Sequence, residues 1–141
     1  MICANPDERA MLPDGTLGHM PGAIAAEYAR LGGQVVMFGK PDRKHFDASK
    51  ALVTSSIAAD AAATGHAAPP VRFLHVGDSL HHDIAGASNA EVDSLFIGGG
   101  IHASALGLGE GGEGELEEAG VYELQGKVGI NATYASRLFV W

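Results

Sequence analysis

Short apolar runs alternate with helical patterns along the chain. Three of these runs, each followed by a glycine, are typical of buried strands, and they cover residues 35–38, 71–76 and 94–97. A strand-like run also occupies residues 2–4, and an aromatic run closes the chain at 134–141. Because helical patterns separate the strands, their order predicts βαβ units and a mostly parallel sheet.

Helices are predicted between these strands. The first begins near Pro21 and ends at Gly32, since glycine commonly ends a helix. The second is capped by Asp42 and ends near Gly65, and a short third helix runs from residue 83 or 84 to about 90. The predicted apolar face of the second helix contains three residues, Phe46, Val53 and Ile57.

Residues 107–120, with the sequence GLGEGGEGELEEAG, interrupt this alternation with glycine and acid. Such a composition offers little apolar surface to bury, so a flexible, solvated loop is expected. The alternative is an acidic loop that interacts with a partner.

Charge and cysteine content restrict the classes of function. The 141 residues carry a formal net charge of −8, which disfavours binding to nucleic acid and to anionic membranes. A small phosphorylated ligand remains compatible, because it needs only a local positive site. Cys3 is the only cysteine, so a reducing compartment, by default the cytoplasm, is expected. The apolar runs are shorter than the ~20 residues of a membrane-spanning helix.

Two carboxylates fall in one short loop after the run at 71–76. Asp78 follows Gly77 directly, Asp83 comes five residues later, and Ser79 adds a hydroxyl and an amide. One or two carboxylates, completed by water and substrate phosphate, are the usual protein share of a Mg²⁺ site. For Asp83, capping of the following helix is an equally good interpretation.

Lys40 and the three glycines at 98–100 follow two other predicted strands. Because ligands gather at the carboxyl ends of parallel strands, these residues are expected near Asp78, where Lys40 could offer its charge to a phosphate. A zinc site at His75, His81 and His82 is less favoured, since adjacent histidines usually point apart. Neither a GxxxxGK[ST] nor a GxGxxG pattern is present, which disfavours a generic nucleotide-binding domain.

The segments CANPD, GAIAAEYARLGG, GKP, GDSLHHDIAGA and GGGIH occur in this order. Together they resemble the C-terminal half of haloacid dehalogenase-type phosphatases, in particular their class IIA branch, over nearly all of residues 2–141. The resemblance implies an α/β fold: a partial Rossmann-like three-layer core with a mostly parallel sheet, without the N-terminal core strands and most of the cap domain. Residues 1–20 would be the end of the cap segment and the return to the core, and 21–141 the C-terminal half of the core.

The resemblance also implies roles for individual residues. Lys40 would neutralise charge on the nucleophile and the substrate phosphate. Asp78 would bind Mg²⁺ directly, and Asp83 would support the same metal site. The residues expected near the phosphate are Asn5, Asp7 and Ser79.

Members of this family carry an aspartate nucleophile in a DxDG motif on the first core strand, and the sequence contains no DxDG. We therefore expect the chain to be half of a Mg²⁺-dependent phosphohydrolase for a small phosphoester, inactive alone, with the unpaired strand edge that the missing strand would cover. One alternative is a nucleophile-free metal- or phosphate-binding regulator. Another is a two-chain or oligomeric enzyme in which a partner supplies the first half.

Overall fold

The computed structural model describes residues 1–12 and 14–140 and shows an α/β chain. Its strands are β1 (Ile2–Cys3), β2 (Arg9–Met11), β3 (Leu17–His19), β4 (Val36–Met37), β5 (Leu74–Gly77), β6 (Asp93–Ile97) and β7 (Tyr134–Ser136). Its helices are α1 (Pro21–Arg30), α2 (Arg43–Thr64), α3 (Ala85–Asn89) and α4 (Glu118–Val128). None of the helices in the described residues is long and apolar enough to cross a bilayer.

Parallel pairing dominates the strands. β1 pairs with β4 in one parallel sheet, and β5, β6 and β7 form a second parallel sheet in that order. The exception is the antiparallel hairpin of β2 and β3, in which Arg9 lies opposite His19. The predicted α/β class with mostly parallel strands is confirmed.

The predicted ends of the first two helices agree with the structure. Asp42 caps α2 by accepting a hydrogen bond from the Lys44 amide, and Gly65 ends the helix in the left-handed conformation. Gly32, with φ of 89°, follows α1. The predicted apolar face of α2 is wrong in part, because Val53 is 43% exposed while Phe46 is buried.

The strand predicted at 71–76 is displaced toward its C-terminus. Leu74 is the first residue of β5 in register with β6, where it lies opposite Asp93, so residues 71–73 precede the sheet. The predicted run at 134–141 is a strand only over Tyr134–Ser136, and residue 141 lies outside the described residues.

The segment at 107–120 contributes to the core. Leu108 is 6% exposed and packs in the main hydrophobic cluster, and α4 begins inside the segment at Glu118. The expectation of a fully solvated connection therefore needs correction at these points, because the leucines between the glycines are apolar enough to bury. The buried members of the cluster are Leu80, Ile84, Phe96, Leu106, Leu108 and Val121.

Strands β4 and β5 are edge strands of the two parallel sheets. In the described part of the chain, β5 pairs only with β6, and β4 pairs only with β1. Leu74 on β5 and Val36 on β4 are about half exposed, at 49% and 54%. A cavity of about 330 Å³ lies beside β5, against residues of α2 that include Phe46 and Val53.

Candidate functional site

The carboxyl ends of β4, β5 and β6 surround a cavity of about 620 Å³. Its walls are residues 6–10, Lys40, five residues of the loop 78–83, and Ile101 and His102. Lys40 follows β4 and the loop 78–83 follows β5, so parallel strands deliver both to the same end of the fold. A volume of this size accommodates a small organic ligand.

Asp83 is the centre of the polar network at this end. Its Oδ1 accepts hydrogen bonds from Lys40 Nζ at 2.6 Å and from His75 Nε2 at 3.1 Å, provided that the imidazole proton is on Nε2. Its Oδ2 accepts a bond from the Ser79 amide at 3.0 Å. The carboxylate is therefore held by three donors, and through Lys40 it links the end of β4 to the loop after β5.

The electrostatics of Asp83 follow from this arrangement. The side chain is only 5% exposed, and burial alone would raise its pKa. Hydrogen bonds from His75, Lys40 and the Ser79 amide outweigh burial and hold the pKa of Asp83 well below its usual range. The carboxylate is thus ionised at neutral pH, and it fixes the ammonium of Lys40, whose side chain remains 41% exposed at the cavity.

Gly77, the last residue of β5, makes room for this carboxylate. A β-carbon at Gly77 would overlap the Asp83 side chain, with a separation of only 2.5 Å from Oδ2. Gly100 has the same relation to Asp78, because a β-carbon there would overlap the Asp78 carboxylate. Glycine at both positions therefore lets the two carboxylates approach the strand ends closely.

Asp83 is not the N-cap of the helical turn in which it lies. Residues 80–84 form a π-helical turn before α3, and Ser79 is its N-cap, since the Ser79 hydroxyl accepts a bond from the His82 amide. Asp83 takes part in the capping all the same, since its Oδ2 accepts the bond from the amide of the N-cap residue Ser79, as the acid of a capping box does. Its side chain points back to the strand ends, where Lys40 and His75 reach it.

Asp78 has one oxygen engaged by the protein. Its Oδ2 accepts a hydrogen bond from the Ile101 amide at 2.9 Å, and the residue lines the cavity. Asp78 thus retains ligand capacity that Mg²⁺ can use, whereas Asp83 would have to exchange a bond to Lys40, His75 or Ser79. Within residues 1–12 and 14–140, no three or more His, Cys, Asp or Glu side chains gather to hold a metal. The donor set fits Mg²⁺, which can take a single carboxylate and complete its shell with water and phosphate oxygens.

Ser79 and Asn5 differ in their relation to the cavity. Ser79 lines it, although its hydroxyl also caps the π-helical turn. Asn5 Oδ1 accepts a bond from the Asp7 amide at 3.0 Å, so its side chain closes a local turn. Asn5 is not among the lining residues. The role of each at a phosphate stays a prediction.

The cavity wall includes residues that the sequence analysis did not single out, among them Glu8, Arg9, Ile101 and His102. His82 Nδ1 lies 3.1 Å from Asp7 Oδ1, so the segment after β1 lies beside the loop 78–83. His102 has a pKa lowered by burial, which the charge of Asp78 opposes, and its ring lies 5.8 Å from that of Phe96. His75 was weighed only as a zinc ligand, although its position two residues before Gly77 places both on one face of β5.

The fold and the cavity define an α/β protein with an ammonium group and an accessible carboxylate at the carboxyl ends of parallel strands. The family model described as HAD-hydrolase-like matches residues 37–114, more than half of the chain. The chain belongs to this family of haloacid dehalogenase-like hydrolases. No curated protein matches the chain.

Solved structures of this superfamily share the fold. A haloacid dehalogenase-like hydrolase from Brucella suis is 29% identical, with a TM-score of 0.58. A possible sugar phosphatase from Cytophaga hutchinsonii is 21% identical, with a TM-score of 0.64, and a p-nitrophenyl phosphatase from Archaeoglobus fulgidus is 20% identical, with a TM-score of 0.52. The matches cover 99%, 99% and 96% of this chain but only 44%, 42% and 42% of those proteins. The chain therefore spans less than half the length of the structures it matches.

Proposed function

We propose that this chain is the C-terminal half of a Mg²⁺-dependent phosphohydrolase that acts on a small phosphoester. The observation that carries the proposal is the meeting of Lys40, Asp78 and Asp83 at one cavity. Lys40 and Asp83 are 43 residues apart in sequence. Lys40 follows β4 of one parallel sheet, and Asp83 follows β5 of the other. Membership of the hydrolase family and the similarity to solved phosphatases support the same reaction class.

The role proposed for each residue follows from its contacts. Asp83 orients the Lys40 ammonium, which is exposed enough to meet a phosphate oxygen in the cavity. Asp78 would hold Mg²⁺ through the oxygen that the Ile101 amide leaves free. When bound, Mg²⁺ would supply charge neutralisation and Lewis acidity at the phosphoryl group. Ser79 and Asn5 would complete the phosphate site.

The second part of the proposal is that the aspartate nucleophile lies outside this chain. Support comes from the absence of DxDG in the sequence, from the open edges of β4 and β5, and from the fractional coverage of longer structures. We propose that residues 1–20 return from a cap domain and that 21–141 complete the core. The isolated chain should then bind Mg²⁺ and phosphate without hydrolysing phosphoesters.

The test is a calorimetric titration of the chain with MgCl₂ and then with inorganic phosphate. We expect Asp78→Asn to abolish Mg²⁺ binding and Lys40→Met to weaken phosphate binding. The matched control is Asp93→Asn, which removes an aspartate that pairs with Arg72 outside the cavity. Equal Mg²⁺ affinity in the wild type and Asp78→Asn would overturn the metal assignment.

A separate measurement addresses the missing half. The 5′ end of the transcript, read upstream of the Met1 codon, should contain an in-frame DxDG followed by a segment of cap size. A transcript that begins at Met1 would instead favour a nucleophile-free binding protein or one half of a two-chain enzyme.

A further inference from the structure

Arg9 is the one arginine in the described part of the chain whose side chain has neither a hydrogen-bond nor an ion-pair partner. Two other arginines pair with one or two carboxylates each, Arg30 with Glu27 and Arg43 with Asp47 and Glu91. Arg72 pairs with Asp93, and Arg137 donates to the Gly112 carbonyl at 2.7 Å. In a chain with 17 acidic and 9 basic residues, an arginine whose side chain has no partner of any kind needs an explanation.

The position of Arg9 supplies one. It is the first residue of β2, it is exposed, and it lines the same 620 Å³ cavity as Lys40 and Asp78. The ion pair of Lys40 Nζ with Asp83 Oδ1, at 2.6 Å, holds the ammonium at the Asp83 end of that cavity. A phosphate group at Lys40 and Asp78 would fill only a small part of the volume, which leaves the wall at Arg9 for the rest of the ligand.

We propose that Arg9 binds a second anionic group of the substrate, either a carboxylate or a second phosphate. This inference rests on the proposed function, because it takes the phosphate end at Lys40 and Asp78 as given. A guanidinium donates two parallel hydrogen bonds to either kind of oxyanion, which suits it to this role better than a lysine. The substrate class is then a phosphoester with two anionic ends.

The neighbouring carboxylates restrict how Arg9 acts. Asp7 Oδ1 lies 3.1 Å from His82 Nδ1, while Glu8 lines the cavity with no side-chain partner in the described residues. Glu8 would repel a second anion and lower its affinity. Replacement of Glu8 should therefore strengthen binding of a two-anion ligand, whereas replacement of Arg9 should weaken it.

The experiment compares non-hydrolysable phosphonates, so it needs no catalytic activity. Binding of methylphosphonate, phosphonoacetate, 3-phosphonopropionate and 1,2-ethylenediphosphonate is followed by NMR titration of the full chain at saturating Mg²⁺. We expect at least one two-anion ligand to bind about tenfold more tightly than methylphosphonate, which is about 1.4 kcal/mol. Phosphonoacetate and 3-phosphonopropionate carry a carboxylate as the second anion, whereas 1,2-ethylenediphosphonate carries a second phosphonate. Comparison of these ligands therefore distinguishes the two kinds of second anion.

Variants test whether Arg9 is responsible. Arg9→Gln should bring the affinity for the preferred ligand to within about twofold of that for methylphosphonate. Arg9→Lys should retain part of the preference, because lysine keeps the positive charge but not the two parallel hydrogen-bond donors of the guanidinium. Lys44→Gln is the matched control, since Lys44 is an exposed cation on α2 outside the cavity wall. Chelation of Mg²⁺ by the ligands is the same for every variant and cancels in the comparison.

The outcomes separate the inference from the proposed function. If methylphosphonate binds but no two-anion ligand binds more tightly, the inference is wrong and the phosphate site stands. If Arg9→Gln weakens methylphosphonate as much as the other ligands, Arg9 contacts the phosphate itself and the inference is also wrong. If no phosphonate binds at all, the phosphate site fails, and the inference fails with it.

Discussion

Replacement of Gly77 by alanine tests whether the Asp83 network holds this end of the fold together. The added β-carbon would lie 2.5 Å from Asp83 Oδ2, where nonbonded heavy atoms normally keep about 3.5 Å. Because Cγ and Cβ of Asp83 would lie closer still, Asp83 must move by more than about 1 Å. The bonds from Lys40 at 2.6 Å and His75 at 3.1 Å would then stretch. The short aspartate side chain, buried under Lys40 and His75, has little freedom to avoid the overlap.

The magnitude combines two effects. Overpacking of a buried site costs about 1–3 kcal/mol. A hydrogen bond to a charged group contributes about 1.5–3 kcal/mol, although the exposure of Lys40 reduces its share. We expect Gly77→Ala to lower the free energy of unfolding by about 3 kcal/mol, as measured by urea denaturation.

Gly126→Ala is the matched control for Gly77→Ala. Gly126 lies inside α4 with open space around its α-carbon, so alanine there should stabilise the chain by up to about 1 kcal/mol. In an Asp83→Gly background the overlap disappears, and Gly77→Ala should cost about 1 kcal/mol or less. An unchanged urea midpoint for Gly77→Ala, or the same cost in both backgrounds, would refute the reasoning.

Two further predictions concern the carboxylates. Because the pKa of Asp83 is lowered by folding, its stabilisation should be complete above the ordinary aspartate pKa of about 3.9 and decline as the pH falls below it. Urea midpoints between pH 6 and pH 2.5 should therefore fall more steeply for the wild type than for Asp83→Asn, and parallel curves would contradict this. Gly100→Ala should displace Asp78 and weaken Mg²⁺ binding at least tenfold by calorimetry, whereas unchanged affinity would mean that Asp78 is not a ligand.

Much of the fold could be predicted from local signals. Asp42 and Gly65 delimit α2 because a capping carboxylate and a left-handed glycine act within a few residues of the chain. The run at 94–97 is apolar because β6 lies between β5 and β7, with Phe96 fully buried. Such signals need no knowledge of distant partners.

Other elements depend on contacts that a single sequence does not display. Helix α4 was missed because glycines and acids before it obscured the helical spacing of Val121, Leu124 and Val128. Val53 lies on the predicted apolar face of α2 but lines the cavity beside β5, and helical spacing alone does not show which apolar residues the fold covers.

At the site, the sequence placed Asp78, Asp83 and Lys40 together through strand order. The bond from His75 to Asp83 and the contact of His82 with Asp7 depend on side-chain directions that strand order does not specify.

The bridge from Lys40 to Asp83 has a consequence for folding cooperativity. No backbone ladder joins β4 to β5 in the described residues, so side chains such as this pair, together with the packing of α2 on α3, connect the two sheets. A ligand that binds between Lys40 and Asp78 would contact both sheets and would favour their association over separate opening. Ligand binding and the association of the two sheets are then thermodynamically linked. Saturation with ligand should therefore raise hydrogen-exchange protection in β1 and β4 as well as in β5.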